Sequence, residues 1–121
     1  MVKQTIEVIR LGFQIGGAIL DFVVLSILNS KDAYGYQLTQ EVRSILDVSE
    51  TALYPALRRL QKNGLLDTYD VPYQGRNRRY YRLTDSGRQA LADYTIQWKA
   101  FRQSMDRLLK EENHDDCPTV F

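Results

Sequence analysis

One cysteine, Cys117, and one histidine, His114, stand among 121 residues. A lone cysteine excludes a disulfide within the chain and suits a reducing, cytoplasmic setting. Together the two residues are too few to ligate a structural zinc. Lacking also a convergent acid–base set and a phosphate loop, the chain is not expected to be an enzyme or to need a cofactor. Long unbroken apolar runs are scarce too. The most apolar stretch, Leu11 to Leu28, has Asp21 near its middle, which would cost ~2.5–3.5 kcal/mol at a bilayer centre. That stretch is read as a core helix, and no membrane partner is expected. Glu7 and Arg10 break the run that a secretory leader requires. Charge of one sign is missing as well: 16 Lys and Arg balance 15 Asp and Glu, a net +1.

The charges that are present are unevenly placed. Residues 49–83 hold seven basic groups against three acidic ones, a net +4, whereas residues 84–121 hold five against seven, a net −2. Distribution matters more than the total for a polyanionic partner. The length fits one domain with a helical appendage, and an apolar fraction of 44% allows a modest core.

Along the chain, Ile6, Ile9 and Phe13 sit at helical spacing in an arm over residues 2–15, and Gly16-Gly17 permits a break. Residues 18–29 are apolar on nearly every side, as in a helix buried from several directions. Asp32 is the expected N-cap of a helix from Tyr34 to Leu46, with Leu38, Val42, Ile45 and Leu46 facing inward. The next helix, residues 49–63, puts Leu53, Ala56, Leu57 and Leu60 on one face. Thr51, Pro55, Arg58 and Lys62 lie opposite, with Tyr54 and Arg59 at the margins. Either Ser49 or Thr51 is its cap. With Ser49, Pro55 falls in the second turn and should kink the helix; with Thr51, it lies near the tolerated first turn. Gly64 ends this helix. Strands over 65–71 and 78–83 follow, joined by a tip from Pro72 to Asn77. A long helix then starts at Thr84-Asp85-Ser86 and runs to about Glu112, with Leu91, Tyr94, Trp98, Phe101, Met105 and Leu108 in a heptad-like seam. The tail beyond it is expected to be disordered in part. This order predicts a mainly α fold with a small two-stranded β-wing: a winged helix-turn-helix plus a long C-terminal dimerisation helix.

Asp32-Ala33-Tyr34-Gly35-Tyr36, then Thr51-Ala52-Leu53-Tyr54-Pro55-Ala56-Leu57-Arg58-Arg59-Leu60, then Gly64-Leu65 closely resemble PadR-family transcriptional regulators. Gly75-Arg76, the run Arg79-Tyr80-Tyr81-Arg82-Leu83-Thr84 and Gly87 are similar to that family's wing and final-helix start. The resemblance covers about residues 14–109 and extends to the small subfamily with a single C-terminal helix. Ala52 stands where many members have Gly or another small residue.

The resemblance implies double-stranded DNA as a partner. The N-terminal half of helix 49–63 would enter the major groove, with Thr51 and Tyr54 at base edges and Arg58 and Lys62 at phosphates. Ser49, Pro55 and Arg59 complete that surface. Arg76, Asn77 and Arg78 would reach the adjacent groove or backbone from the wing. Arg79 and Arg82 are weaker candidates, because alternation aims successive strand residues to opposite faces. Tyr34 and Tyr36 flank a helix start that favours phosphate, and one of the two is expected in the core. Without the resemblance, the residues of the helix read first as the solvated side of a core helix, and a basic hairpin is often no more than a soluble sheet edge.

A seam of that length cannot be buried on a small domain alone, so a homodimer is expected through Leu91, Tyr94, Trp98, Phe101, Met105 and Leu108, with Phe22 of the apolar helix. By resemblance to multidrug-sensing relatives, Trp98, Phe101 and Met105 would stack a small planar aromatic effector. The domain reading is an arm and DNA-binding domain over 1–83, a dimerisation helix over 84–112 and a tail over 113–121. The competing class is a winged-helix protein–protein interaction module whose basic face docks an acidic partner.

Overall fold

The computed structural model describes the backbone of residues 19–120 and the side chains of residues 19–110. The arm over 2–15 with its Gly16-Gly17 break, and the side chains of His114 and Cys117, lie outside the described residues. Helix α1 covers residues 19–30. It is followed by β1 (Ala33–Tyr34), α2 (Gly35–Ile45), α3 (Glu50–Lys62), β2 (Leu66–Tyr73), β3 (Arg76–Leu83) and α4 (Asp85–Val120). The chain divides into two compact units, Met1–Leu91 and Ala92–Phe121. The fold is the expected one, mainly helical with a small antiparallel sheet.

The first unit closes around a core made mostly of leucines. Val24, Leu25 and Leu28 of α1 are buried, as are Leu38 and Val42 of α2, Leu53, Ala56, Leu57 and Leu60 of α3, and Leu66 and Leu83 of the sheet. The face of α3 picked out by periodicity is therefore the buried one. Its end is a Schellman turn: Gly64 takes φ +77°, Leu65 N–H donates to Leu60 C=O and Gly64 N–H to Gln61 C=O. α4 starts at Thr84, whose Oγ1 accepts from Gly87 N–H at 3.0 Å and donates to the Gly64 carbonyl at 2.6 Å. One side chain thus caps α4 and ties it to the end of α3.

Three local expectations are corrected. Asp32 does not cap α2; the cap residue is Tyr34, which makes no side-chain cap bond. The Asp32 carboxylate instead accepts from the Tyr69 hydroxyl at 2.6 Å, and Ala33–Tyr34 are drawn into the sheet opposite Tyr81 and Tyr80. Second, Ile45 is 61% exposed and Leu46 only half-buried, because α2 ends at Ile45, past the turns that Leu38 and Val42 anchor. Third, the hairpin tip is two residues rather than six. Gln74 (φ +50°) and Gly75 (φ +80°) both take left-handed backbone, as a type I′ turn requires. Pro72 fits inside β2 because it pairs with Asn77 next to the closing pair Tyr73–Arg76 on an edge strand. Its missing N–H then faces away from the ladder.

The sheet has order β1-β3-β2, so the wing gains a short third strand. α4 also runs past Glu112 to Val120; no glycine follows Gly87 and Pro118 falls only in its last turn. Among the described residues no helix is long and apolar enough to cross a membrane.

Candidate nucleic-acid interface

The cap of α3 is Ser49, whose Oγ accepts from Ala52 N–H at 3.2 Å. Pro55 is therefore in the second turn, yet the helix is continuous over Glu50–Lys62. Only the helical donor to the Thr51 carbonyl is lost, at an exposed position. Thr51, Tyr54, Pro55, Arg58 and Lys62 are all exposed on the side away from the buried leucines. Tyr54 leans toward the start of α2: its hydroxyl lies 4.0 Å from where a Cβ on Gly35 would stand, as does Cε1 of Tyr81.

Arg59 is placed differently. Its guanidinium donates to both carboxylate oxygens of Asp21 on α1, at 2.9 and 2.8 Å. The Asp21 side chain is 7% exposed and that of Arg59 is 50% exposed. The apolar first helix thus carries its one acid to bind a cation of α3.

Strand register sorts the wing. Arg76, Arg78, Tyr80 and Arg82 share one face with Tyr73, Val71, Tyr69 and Asp67 of β2 and with Tyr34 of β1. Asn77, Arg79, Tyr81 and Leu83 share the other face, where Leu83, Leu66 and Ala33 enter the core. Arg79 sits 3.7 Å from Asp70, and Arg82 3.4 Å from Asp67, both exposed pairs. Half-burial pushes the Tyr81 hydroxyl above its ordinary range, against the pull of Arg79 and Arg58.

The face holding Arg78 is lined with rings. The Arg78 guanidinium carbon is 4.0 Å from the Tyr34 ring centroid and 3.5 Å from that of Tyr73. Tyr34 meets Tyr80 edge-to-face at 5.6 Å, Tyr80 stacks on Tyr69 at 5.5 Å, and Arg82 lies 5.2 Å over Tyr69. Partial burial works against the charge on Arg78, but the hydroxyls of Tyr80 and Tyr73 outweigh it and raise its pKa. The hydrogen bond to Asp32 raises that of Tyr69. Near the wing tip an open cleft of about 470 Å³ is lined by Tyr34, Tyr36, Tyr73, Gln74, Arg76, Asn77 and Arg78. Neither Tyr34, half-buried, nor Tyr36, 66% exposed, is a core residue.

A cation-bearing helix thus lies with a basic wing beside it. The model of the transcriptional regulator PadR-like family matches residues 24–93. The chain belongs to the PadR-like family. A solved PadR family transcription regulator from Clostridium difficile superposes with a TM-score of 0.69 at 31% identity, covering 74% of this chain and 97% of that one. The structure of smu.1704 from Streptococcus mutans gives 0.73 at 36% identity, with 78% and 89% covered. The negative transcriptional regulator PadR of Bacillus subtilis is 28% identical over 100 residues; the match takes in 78% of this chain and 52% of that protein. PadR-like proteins are transcriptional regulators and not enzymes.

In this PadR-like chain the matched region contains every candidate DNA-contact residue. The second unit, by itself, carries an apolar stripe on α4: Trp98 and Phe101 have ring centroids 6.1 Å apart, and with Met105 and Leu108 they are 36–56% exposed. Leu91, Tyr94 and, on α1, Phe22 are half-buried. Sequence reading missed Asp21, Asp32, Tyr69, Tyr73 and Tyr80 as organisers of the site. For the tyrosines a partial signal was present, since Tyr69 and Tyr73 fall four apart on one face of β2, but joining them to Tyr80 requires the pairing register.

Proposed function

We propose that this PadR-like regulator is a homodimeric repressor that binds an inverted-repeat operator and is released by a small planar aromatic or drug-like effector. The observation that carries the reading is the exposed face of α3, with Thr51, Tyr54, Pro55, Arg58 and Lys62 beside a basic wing. Thr51 and Tyr54 read base edges, while Ser49, Arg58, Lys62, Tyr34, Tyr36, Arg76, Asn77 and Arg78 serve the phosphate backbone or the adjacent groove. That the Bacillus relative is a negative transcriptional regulator supports repression.

The exposed stripe on α4 supports pairing with a second copy, since a contiguous apolar surface of this kind marks an association site. In this reading residues 1–83 are the DNA-binding part, 84–112 the dimerisation helix and 113–121 a tail. Trp98, Phe101 and Met105 are the effector-stacking residues, and release follows if the effector favours a dimer geometry that does not fit DNA. An unbiased DNA selection at physiological salt should return an inverted repeat with half-sites about one turn apart. Tyr54→Ala should then weaken binding to that operator by about 1–3 kcal/mol while leaving random-sequence binding nearly unchanged. Equal losses on both would remove Tyr54 from base reading. Failure to select any sequence would favour a protein-interaction module instead.

A further inference from the structure

We propose that Arg78 is a positioning residue that clamps the wing to the start of α2, leaving Arg76 as the cation of that face which meets DNA. The inference rests on the DNA reading above and changes one part of it: Arg78, given there a backbone or groove contact, acts instead by holding the wing that carries Arg76. Arg78 lies on the central strand, between a ring from each neighbouring strand: Tyr34 of β1 and Tyr73 of β2. At 4.0 and 3.5 Å from the two centroids, the guanidinium sits well inside the range in which ring quadrupoles attract a cation. It is half-buried where Arg76 and Arg79 are exposed.

The contact closes a continuous series. From Tyr34 the rings pass edge-to-face to Tyr80 and by stacking to Tyr69, whose hydroxyl is held by Asp32. Tyr34 is the cap residue of α2 as well as part of β1, so what fixes Tyr34 to the wing fixes the wing to the helix-turn-helix. β1 is only two residues long and reaches no further along β3 than Tyr80. Beyond that point the outer half of the hairpin, Asp70 to Arg79, is paired only with itself. An isolated two-stranded ribbon is marginal in water. Arg78 is the side chain that ties this outer half back to Tyr34. Two residues further out, Arg76 lines the cleft at the tip, with its direction set by the clamp.

Amide hydrogen exchange of the free protein and DNA binding as a function of salt test this together. Arg78→Ala, Arg78→Lys and Tyr73→Leu should each speed exchange of the strand amides between Val71 and Arg79 by about tenfold, whereas Arg76→Ala should not. Lys keeps the charge but not the planar guanidinium, so it should fail to rescue. On operator DNA, Tyr73→Leu, which removes no charge, should weaken binding as much as Arg78→Ala, and the double variant should be no worse than either. Wild-type exchange in Arg78→Ala would overturn the clamp. So would Arg78→Lys binding DNA like wild type while Arg78→Ala lowers the salt slope by about one phosphate unit. A wild-type protein with no sequence preference would sink the DNA reading alone, because the exchange comparison needs no DNA.

Discussion

Arg58 and Arg59 are neighbours in sequence with different duties, and a variant at each should separate them. Arg59 holds a carboxylate that is almost wholly buried, so Arg59→Ala leaves Asp21 without its bidentate partner. A fully buried pair broken on one side costs 3–5 kcal/mol as a rule. The Arg59 side chain is half exposed, which screens the interaction, and a loss of about 1–3 kcal/mol is expected in a urea melt. Arg58→Ala should change stability by less than about 0.5 kcal/mol and act on DNA affinity instead. The wheel projection put Arg58 on the outward face and Arg59 at its margin, but nothing in the local pattern says what Arg59 binds. The distinction comes from an acid 38 residues earlier, which no periodicity reports. Tyr69 offers a second test at this scale. Its hydrogen bond to Asp32 raises the hydroxyl pKa above the ordinary value near 10, so the folded state keeps the proton longer than the unfolded one. That stabilising contribution is complete below pH 10 and is lost as pH climbs through the folded value. Melting temperatures followed from about pH 8 to about pH 11 should fall in wild type over the upper part of that range, and fall less in Tyr69→Phe.

Two glycines show what the packing of elements demands. A Cβ on Gly87 would stand 2.2 Å from the Leu65 carbonyl oxygen and 2.6 Å from Leu83 Cδ1. Backbone cannot retreat cheaply there, since Leu65 N–H and C=O are both bonded, to Leu60 and Thr84. Gly87→Ala should therefore destabilise by about 1–3 kcal/mol, as overpacking does. Gly35 meets only ordinary contacts at 4.0 Å, so Gly35→Ala should be neutral or stabilise by up to about 1 kcal/mol. Denaturant midpoints of the two variants, compared with wild type, check the contrast. The elements that sequence showed are those built from local rules. The apolar face of α3, its Gly64 terminus and the Thr84 start each need only a few neighbouring residues. β1 is two residues long and exists only because β3 is beside it. The short turn was hidden because Gln74-Gly75 is a poorer type I′ signal than Asn-Gly, and Pro72 looked like loop until its edge position was known. Asp32 is a good cap by composition, but a tyrosine 37 residues away claims it.

At the scale of the whole molecule, the proposed dimer rests on exposed apolar side chains of α4. None of Trp98, Phe101, Met105 and Leu108 is among the buried residues, so charging this stripe should leave the winged domain folded. Phe101→Glu with Leu108→Glu places two carboxylates in an interface that has to exclude water, which an obligate apolar contact does not tolerate. Sedimentation at micromolar concentration should give twice the 14.1 kDa chain mass for wild type and the single mass for the double variant. Far-UV circular dichroism should retain the helical signal. Two reading heads joined in one dimer raise the effective concentration of the second after the first has bound, typically by enough to gain 10²–10⁴ in overall affinity. The double variant should therefore lose about that factor on an intact inverted repeat and lose little on an isolated half-site. A monomeric wild type, or equal losses on both DNAs, would show that α4 does not join two copies for operator binding. Quenching of Trp98 emission by planar aromatics should vanish in the monomeric variant if the stacking site is formed by two copies. It should survive there if α4 of one copy is sufficient.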